Sequence, residues 1–233
     1  MRSLIIGRGE VGTALAAVIP DSETYDITDD AMPNYDTDVL HIAMPYFNGF
    51  VEEVERYMEI YKPQLVIVYS SVPIGTCESI SLSVVHSPIE GVHPHLAQSI
   101  RNHVRWIGCA DEDANLMAAE LWMELVNYGV QPVKSSRYTE FLKLRSTAKY
   151  GINLVFTDYE ADVAKFLGMK FDLVKRFDQD YNALYLDLGM PQYQRYILNP
   201  PNGKIGGHCV VPNAELLDRD YSSPLLKLIK EKA

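Results

Sequence analysis

Gly7-Arg8-Gly9-Glu10-Val11-Gly12 has the spacing G-x-G-x-x-G. Its flanks give the pattern meaning. The apolar run Leu4-Ile5-Ile6 leads into it and a helical stretch over residues 13–18 leads out. In that setting Gly7 permits a tight turn, Gly9 lets the backbone approach a pyrophosphate, and Gly12 lets helix pack on strand. The anion rests on free N–H groups at the helix start. Asp26, in Thr24-Tyr25-Asp26, is the next acidic residue after a second apolar stretch. A carboxylate there accepts hydrogen bonds from both hydroxyls of an adenosine ribose. No arginine follows in Ile27-Thr28-Asp29-Asp30. A ribose 2′-phosphate would be repelled, so the expected cofactor is NAD rather than NADP. Asp26 comes sooner after the loop than the usual ~20 residues, which requires a short first helix ending at Pro20. The alternative for Asp26 is a surface turn aspartate.

Other residues carry chemistry with less support from their setting. Cys77, Cys109 and Cys209 are odd in number, widely spaced and free of any CxxC pair. They read as reduced thiols of a cytoplasmic chain rather than as a disulfide framework. The commonest fate of a free cysteine is burial. Cys77 and Cys109 are expected in the core. His86, His93 and His95 could supply three metal ligands, but no cysteine or acidic pattern joins them, and loop or pocket roles fit them better. No metal is expected. Arg101 and Arg105 are candidate phosphate contacts or ordinary surface residues.

These residues need elements to position them. The runs Leu4-Ile5-Ile6, Val39-Leu40-His41-Ile42-Ala43 and Leu65-Val66-Ile67-Val68-Tyr69 each stop near Gly or Pro. Continuous apolar runs of that kind suit a parallel sheet covered on both faces. Phe50, Val51, Val54, Tyr57 and Met58 form a helical stripe between the second and third runs, with Glu52, Glu53, Glu55 and Arg56 opposite. Further strands are expected at 83–85, 105–108 and 130–133, with a helix over 112–128. From Tyr138 the residues Phe141, Leu144, Ala148, Ile152, Val155, Tyr159, Val163 and Phe166 step by threes and fours. They predict one helix of roughly 30 residues, about 45 Å long, weakened at Gly151 and stopped at Gly168. So long a helix needs a partner along its stripe. Shorter helical stretches follow, then a loop over 199–207 and helical pieces at 214–217 and 224–230. The expected fold is α/β: a Rossmann-type dinucleotide-binding domain over 1–133, then a helical region over 134–233.

The chain has 233 residues, 47% of them hydrophobic, and a net charge of −10. The length suits one large domain or two small ones and buries a core without staples. The charge argues against nucleic acid and acidic lipid as partners. No apolar run is long enough for a membrane span, and the start lacks a signal peptide's apolar core.

Five segments in register resemble the UDP-glucose/GDP-mannose dehydrogenase family. Ser70-Ser71-Val72-Pro73-Ile74-Gly75-Thr76 is similar to its S-T-V-P-x-G-T segment. Ser87-Pro88-Ile89-Glu90 resembles S-P-E-F, Arg105-Trp106-Ile107-Gly108 the R-x-x-x-G strand, and Glu140-Phe141-Leu142-Lys143 the A-E-x-x-K segment. Gly206-Gly207-His208-Cys209 resembles the G-G-x-C of the nucleophile loop. The resemblance runs to about residue 217. Family members are longer, with a second Rossmann-like domain for the nucleotide of the sugar nucleotide. The expected form is therefore a shortened one.

The resemblance implies two successive NAD-dependent oxidations at one carbon, with Cys209 holding the aldehyde as a thiohemiacetal and then a thioester. It implies Lys143 as the cation beside the reacting oxygen. Glu140, one turn earlier on nearly the same helix face, is expected to pair with Lys143. The cofactor set is Gly7, Arg8, Gly9, Glu10, Val11, Gly12 and Asp26, with Ala43, Pro45 and Ser70 at the strand ends. Four positions depart from the family. Thr147 replaces an oxyanion-binding asparagine and Ser71 a threonine. Ile89 takes the place of the first glutamate, with Glu90 displaced by one. Asn213 replaces an aspartate that helps activate water, and an amide cannot take up a proton. Thioester hydrolysis is then impaired or rerouted: the reaction stops at the aldehyde, uses Glu90 as base, or turnover is lost altogether. The resemblance also implies a homodimer with the long helix's stripe at the interface. Three functions stay open: oxidation of a sugar nucleotide or phosphorylated sugar through Cys209, a catalytically weak NAD-binding module, and a small hydroxy-acid dehydrogenase using Lys143.

Overall fold

The computed structural model describes residues 1–92, 94–201, 203–206 and 209–232. The chain divides into two compact units, Met1–Lys143 and Leu144–Ala233. The first is built on seven strands: β1 (Ser3–Ile6), β2 (Glu23–Tyr25), β3 (Val39–Ile42), β4 (Leu65–Val68), β5 (Val84–His86), β6 (Arg105–Gly108) and β7 (Val130–Val133). Their order in the sheet is β2-β1-β3-β4-β5-β6-β7. The apolar runs of β1, β3 and β4 are buried at every position because both faces of the sheet are covered. Helices α1 (Glu10–Ala16), α2 (Phe50–Tyr61), α3 (Thr76–Ile80), α4 (Leu96–Arg101) and α5 (Glu112–Met123) supply the cover.

Side chains alternate between two cores, as the strand period dictates. Ile5, Ile67, Tyr69 and Ile107 pack on one face with Leu15 and Trp122. Leu4, Leu40 and Val66 pack on the other with Phe50, Val54 and Cys77. In α2, Phe50, Val54 and Tyr57 are buried while Glu52, Glu55 and Arg56 face water. Cys77 and Cys109 are both buried.

The sheet departs from an all-parallel one at a single step. β6 pairs antiparallel with β5, His86 facing Gly108. A parallel return needs a helix that carries the chain back along the strands. Among the described residues the only helix in this connection is α4, whose six residues reach about 9 Å. The chain therefore re-enters the sheet from the edge it left. The helix expected over 112–128 stops at Met123, because the carbonyl of buried Trp122 accepts from Leu125 and Val126 N–H and turns the chain.

The long helix is α6 (Ser136–Phe166), 31 residues. It ends where Gly168 takes a φ of +69° and Met169 N–H bonds back to Ala164 O at 2.8 Å. The second unit adds α7 (Phe171–Asp187), a 3-10 turn at Pro191–Tyr193, α8 (Val210–Asp220) and α9 (Pro224–Glu231). Gly151 has a packing reason. A Cβ there would lie 2.7 Å from Val210 Cγ1 and 2.9 Å from Ile229 Cδ1, so its absence lets α8 and α9 approach α6. The helical piece expected at 214–217 is longer, because Pro212 sits in the first turn of α8, where a missing N–H costs nothing.

Candidate active site

The Gly-rich loop leaves β1 and enters α1. Gly7 holds a φ of +100°, and a Cβ on it would meet Ala43 O at 2.8 Å. A Cβ on Gly12 would lie 1.8 Å from Gly7 O. Both positions are closed to any side chain. Gly9 is different, since nothing lies within 4 Å of the place its Cβ would take. The loop is therefore clamped at both ends and bare in the middle, the shape a phosphate needs to reach backbone N–H groups. Val11 packs toward the core, so that residue offers only its backbone. Glu10 is exposed.

Asp26 follows the last residue of β2 and faces this loop. Its Oδ2 accepts Arg8 N–H at 2.8 Å, and its Oδ1 accepts Thr28 N–H at 3.2 Å and the Thr28 hydroxyl at 2.9 Å. The Arg8 and Thr28 bonds hold its carboxyl below the usual range, so it is ionised at neutral pH. The structure corrects one expectation here. Asp26 does have a basic neighbour, because the Arg8 guanidinium folds back and pairs with Asp29. That clasp joins segments 21 residues apart, out of reach of a search along Ile27-Thr28-Asp29-Asp30.

Ala43 is half-buried and presses on Gly7, Pro45 is exposed, and the buried Ser70 donates its hydroxyl to Met44 O at 2.5 Å. Ser70 thus joins the segments leaving β3 and β4. Ser71, next to it, is half-buried.

Lys143 closes the first unit. Its ammonium donates to Ile89 O at 2.6 Å and lies 3.6 Å from Glu90 Oε1. Four-fifths of the side chain is covered, at 18% exposure against 35% for Glu90. Glu140 does not pair with Lys143 as its helix position suggested. It is fully buried and accepts from Gly75 N–H and, at 2.9 Å, from Cys77 N–H. Facing the first turn of α3 supplies it with two donors, which outweighs proximity along one helix face. Burial raises its carboxyl despite those bonds.

Arg101 is not free for a phosphate. Its Nη2 bonds to Ala17 O and Val18 O just past the end of α1. Arg105 is 1% exposed, and its guanidinium carbon lies 4.9 Å over the Trp122 ring. Burial pushes it down to about 10. His86 is a strand residue rather than a loop one, bonded to Thr139 Oγ1 at 2.8 Å and Ser70 O at 3.2 Å. His93 lies outside the described residues. No group of three metal-ligating side chains occurs among those described.

In the second unit Cys209 is exposed and caps α8. Of its motif, Gly206 is exposed, and Gly207 and His208 lie outside the described residues. Asn213 is buried, and its amide donates to Thr147 Oγ1 at 3.2 Å. Two positions that depart from the family pattern therefore touch each other.

No family model matches the chain, and no curated protein does. Solved structures do. A UDP-D-ManNAc dehydrogenase from Pyrococcus horikoshii is similar with a TM-score of 0.77 at 18% identity, covering 99% of this chain and 68% of that one. A UDP-glucose dehydrogenase from Pyrobaculum islandicum gives 0.75 at 18%, covering 99% and 67%. A Mycobacterium tuberculosis 3-hydroxyisobutyrate dehydrogenase gives 0.69 at 12%, covering 99% and 92%. The chain thus spans about two thirds of the length of the nucleotide-sugar dehydrogenases and nearly all of the hydroxy-acid enzyme. At these identities the likeness establishes the fold, a Rossmann-type α/β architecture followed by long helices.

Proposed function

We propose that the chain is an NAD-dependent dehydrogenase that oxidises an alcohol carbon of a sugar nucleotide or phosphorylated sugar. The observation that carries the cofactor assignment is the bare backbone at Gly9 beside an ionised Asp26 at the end of β2. The loop fits a pyrophosphate and the carboxylate fits a ribose diol. NAD, when bound, supplies a hydride acceptor.

The remaining chemistry belongs to the chain's own residues. The Lys143 ammonium stabilises negative charge growing on the substrate oxygen. Glu90, 3.6 Å from Lys143 Nζ, takes the hydroxyl proton. The exposed Cys209 thiol would add to the resulting aldehyde as a thiohemiacetal, and loss of that carbon's hydride to a second NAD and of its hydroxyl proton to solvent would leave the acyl group on the sulfur as a thioester. Water releases the acid. Asn213 gives no base for that last step, since its amide takes up no proton and is engaged with Thr147. The protein works as a homodimer through exposed apolar residues of its long helices.

One observation favours a second reading. The hydroxy-acid dehydrogenase neighbour is matched over 92% of its length. A small hydroxy acid oxidised beside Lys143 needs no thiol.

NADH formation with NAD and a panel of nucleotide sugars, sugar phosphates and hydroxy acids separates the two. The expected result is two NADH per acid product, lost in Cys209→Ala. One NADH per product from a hydroxy acid, unchanged in Cys209→Ala, would establish the second reading instead. Silence with every substrate, while NAD still binds by calorimetry, would leave a non-catalytic NAD-binding module.

A further inference from the structure

NADP differs from NAD by one phosphate on the adenosine ribose 2′-oxygen, close to −2 in charge near neutral pH. Selection between the two depends on the charges around that oxygen. An aspartate that accepts the ribose hydroxyls excludes the phosphate, and a nearby arginine admits it. This chain has both kinds of group at one place. Asp26 lies where the ribose is expected, and Arg8 is bonded to it through the backbone at 2.8 Å. Arg8 is the sole basic residue of the 7–12 loop.

What separates Arg8 from the role of a phosphate ligand is Asp29. Its Oδ1 holds the Arg8 guanidinium and its Oδ2 accepts Asp26 N–H at 2.9 Å. The turn is closed in the other direction by Asp29 N–H on Asp26 O, also at 2.9 Å. Asp29 is thus fixed through both carboxylate oxygens and its own N–H. The three side chains sum to a charge of −1, with the positive group neutralised at the site. The pair faces solvent, with 44% of the Arg8 side chain and 28% of the Asp29 side chain exposed, so a bound dinucleotide can reach it.

We propose that Asp29 is a specificity-determining residue, which selects NAD by holding Arg8 and withholding its charge from a 2′-phosphate. Asp26 repels the phosphate, and Asp29 removes the cation that would otherwise offset the repulsion. The inference rests on the reading of the 7–12 loop as a dinucleotide site. It goes beyond that reading by giving Asp29 and Arg8 opposed parts in the choice of cofactor.

The test is calorimetric affinity for NAD and NADP on the full chain, at low and moderate salt. Asp29→Asn is the informative variant. Its amide oxygen still accepts Asp26 N–H, so the turn stays closed while the charge is lost. The wild type is expected to prefer NAD. In Asp29→Asn the ratio of the NADP to the NAD dissociation constant should fall by about tenfold or more, chiefly through tighter NADP. That gain should weaken with salt, as a phosphate–guanidinium contact does. Arg8→Ala added to Asp29→Asn should restore the wild-type ratio. A turn-closing role alone would move both affinities together and leave the ratio fixed. An unmoved ratio with NAD binding intact overturns the proposal, as does a ratio that Arg8→Ala fails to restore. A wild type that takes NADP as well as NAD overturns it too. A wild type that binds neither dinucleotide overturns the loop reading itself, a different outcome from all of these.

Discussion

Gly9 and Gly12 lie three residues apart and should respond oppositely to one added methyl group. Gly9 has a φ of −69° and open space at its Cβ, so alanine fits there without strain. Gly9→Ala should keep the wild-type melting temperature within about 2 °C, since no native contact is crowded. The methyl would nevertheless fill the space a pyrophosphate needs, and NAD affinity should fall about tenfold or more. Lost stability together with unchanged affinity would count against a phosphate at Gly9. At this scale the sequence was legible where shape lies in a local pattern. The G-x-G-x-x-G spacing encodes a turn, and a turn needs only neighbours in the chain. It failed where a side chain has a choice of distant partners. Glu140 left Lys143 for the N–H groups of Gly75 and Cys77. Arg101 went to the carbonyls after α1, and Arg8 to Asp29. Each choice is decided by which unpaired donor or acceptor the fold brings near, and spacing carries no record of that.

The legible elements were those long or apolar enough to show a period. β1, β3, β4 and α6 are of that kind. β2, α3 and α4 have three, five and six residues, too few for either repeat to emerge. The antiparallel step at β6 was hidden for the same reason, since its cause is the shortness of α4. The stripe assigned to α6 divides in the structure. Leu144 and Ala148 are buried within the chain, whereas Phe156, Tyr159, Val163 and Phe166 are exposed. Helix α7 goes further, with no buried residue in its 17 positions. Its Leu173, Phe177 and Leu184 are exposed, as is Leu188 at its C-cap, and their spacing puts them along one face of the helix. The homodimer proposed above would cover these surfaces with a second copy. Sedimentation should give a dimer for the wild type and a monomer for Phe177→Glu combined with Leu184→Glu. A double variant that still sediments as a dimer would remove α7 from the interface.

For the whole molecule, stability should depend on two histidines that the chemistry does not use. His41 is bonded to Tyr69 Oη at 2.8 Å and Ser3 Oγ at 3.1 Å, and His86 to Thr139 and Ser70. Both are fully buried, and burial pushes both down to about 3. The unfolded chain takes up these protons near pH 6.5 while the folded chain refuses them. Their contribution is therefore complete above about 6.5 and is lost as the pH falls from there toward 3. Between pH 7 and pH 5 each should cost about 2 kcal/mol of stability. Urea unfolding at the two values would read the sum, and His41→Gln should roughly halve it. An equal stability at pH 7 and 5 would refute neutral burial of both rings. The cover over the sheet has one more consequence, an optical one. The chain has two tryptophans, both in the first unit with the cofactor loop. Trp122 is sealed between Arg105 and Tyr69, while Trp106 is 37% exposed. Their emission should differ in colour and in quenching by iodide, so Trp106→Phe would leave a single dark-side reporter of folding. The same indole is a natural energy donor to reduced nicotinamide, which lets cofactor occupancy be followed by fluorescence with no label attached.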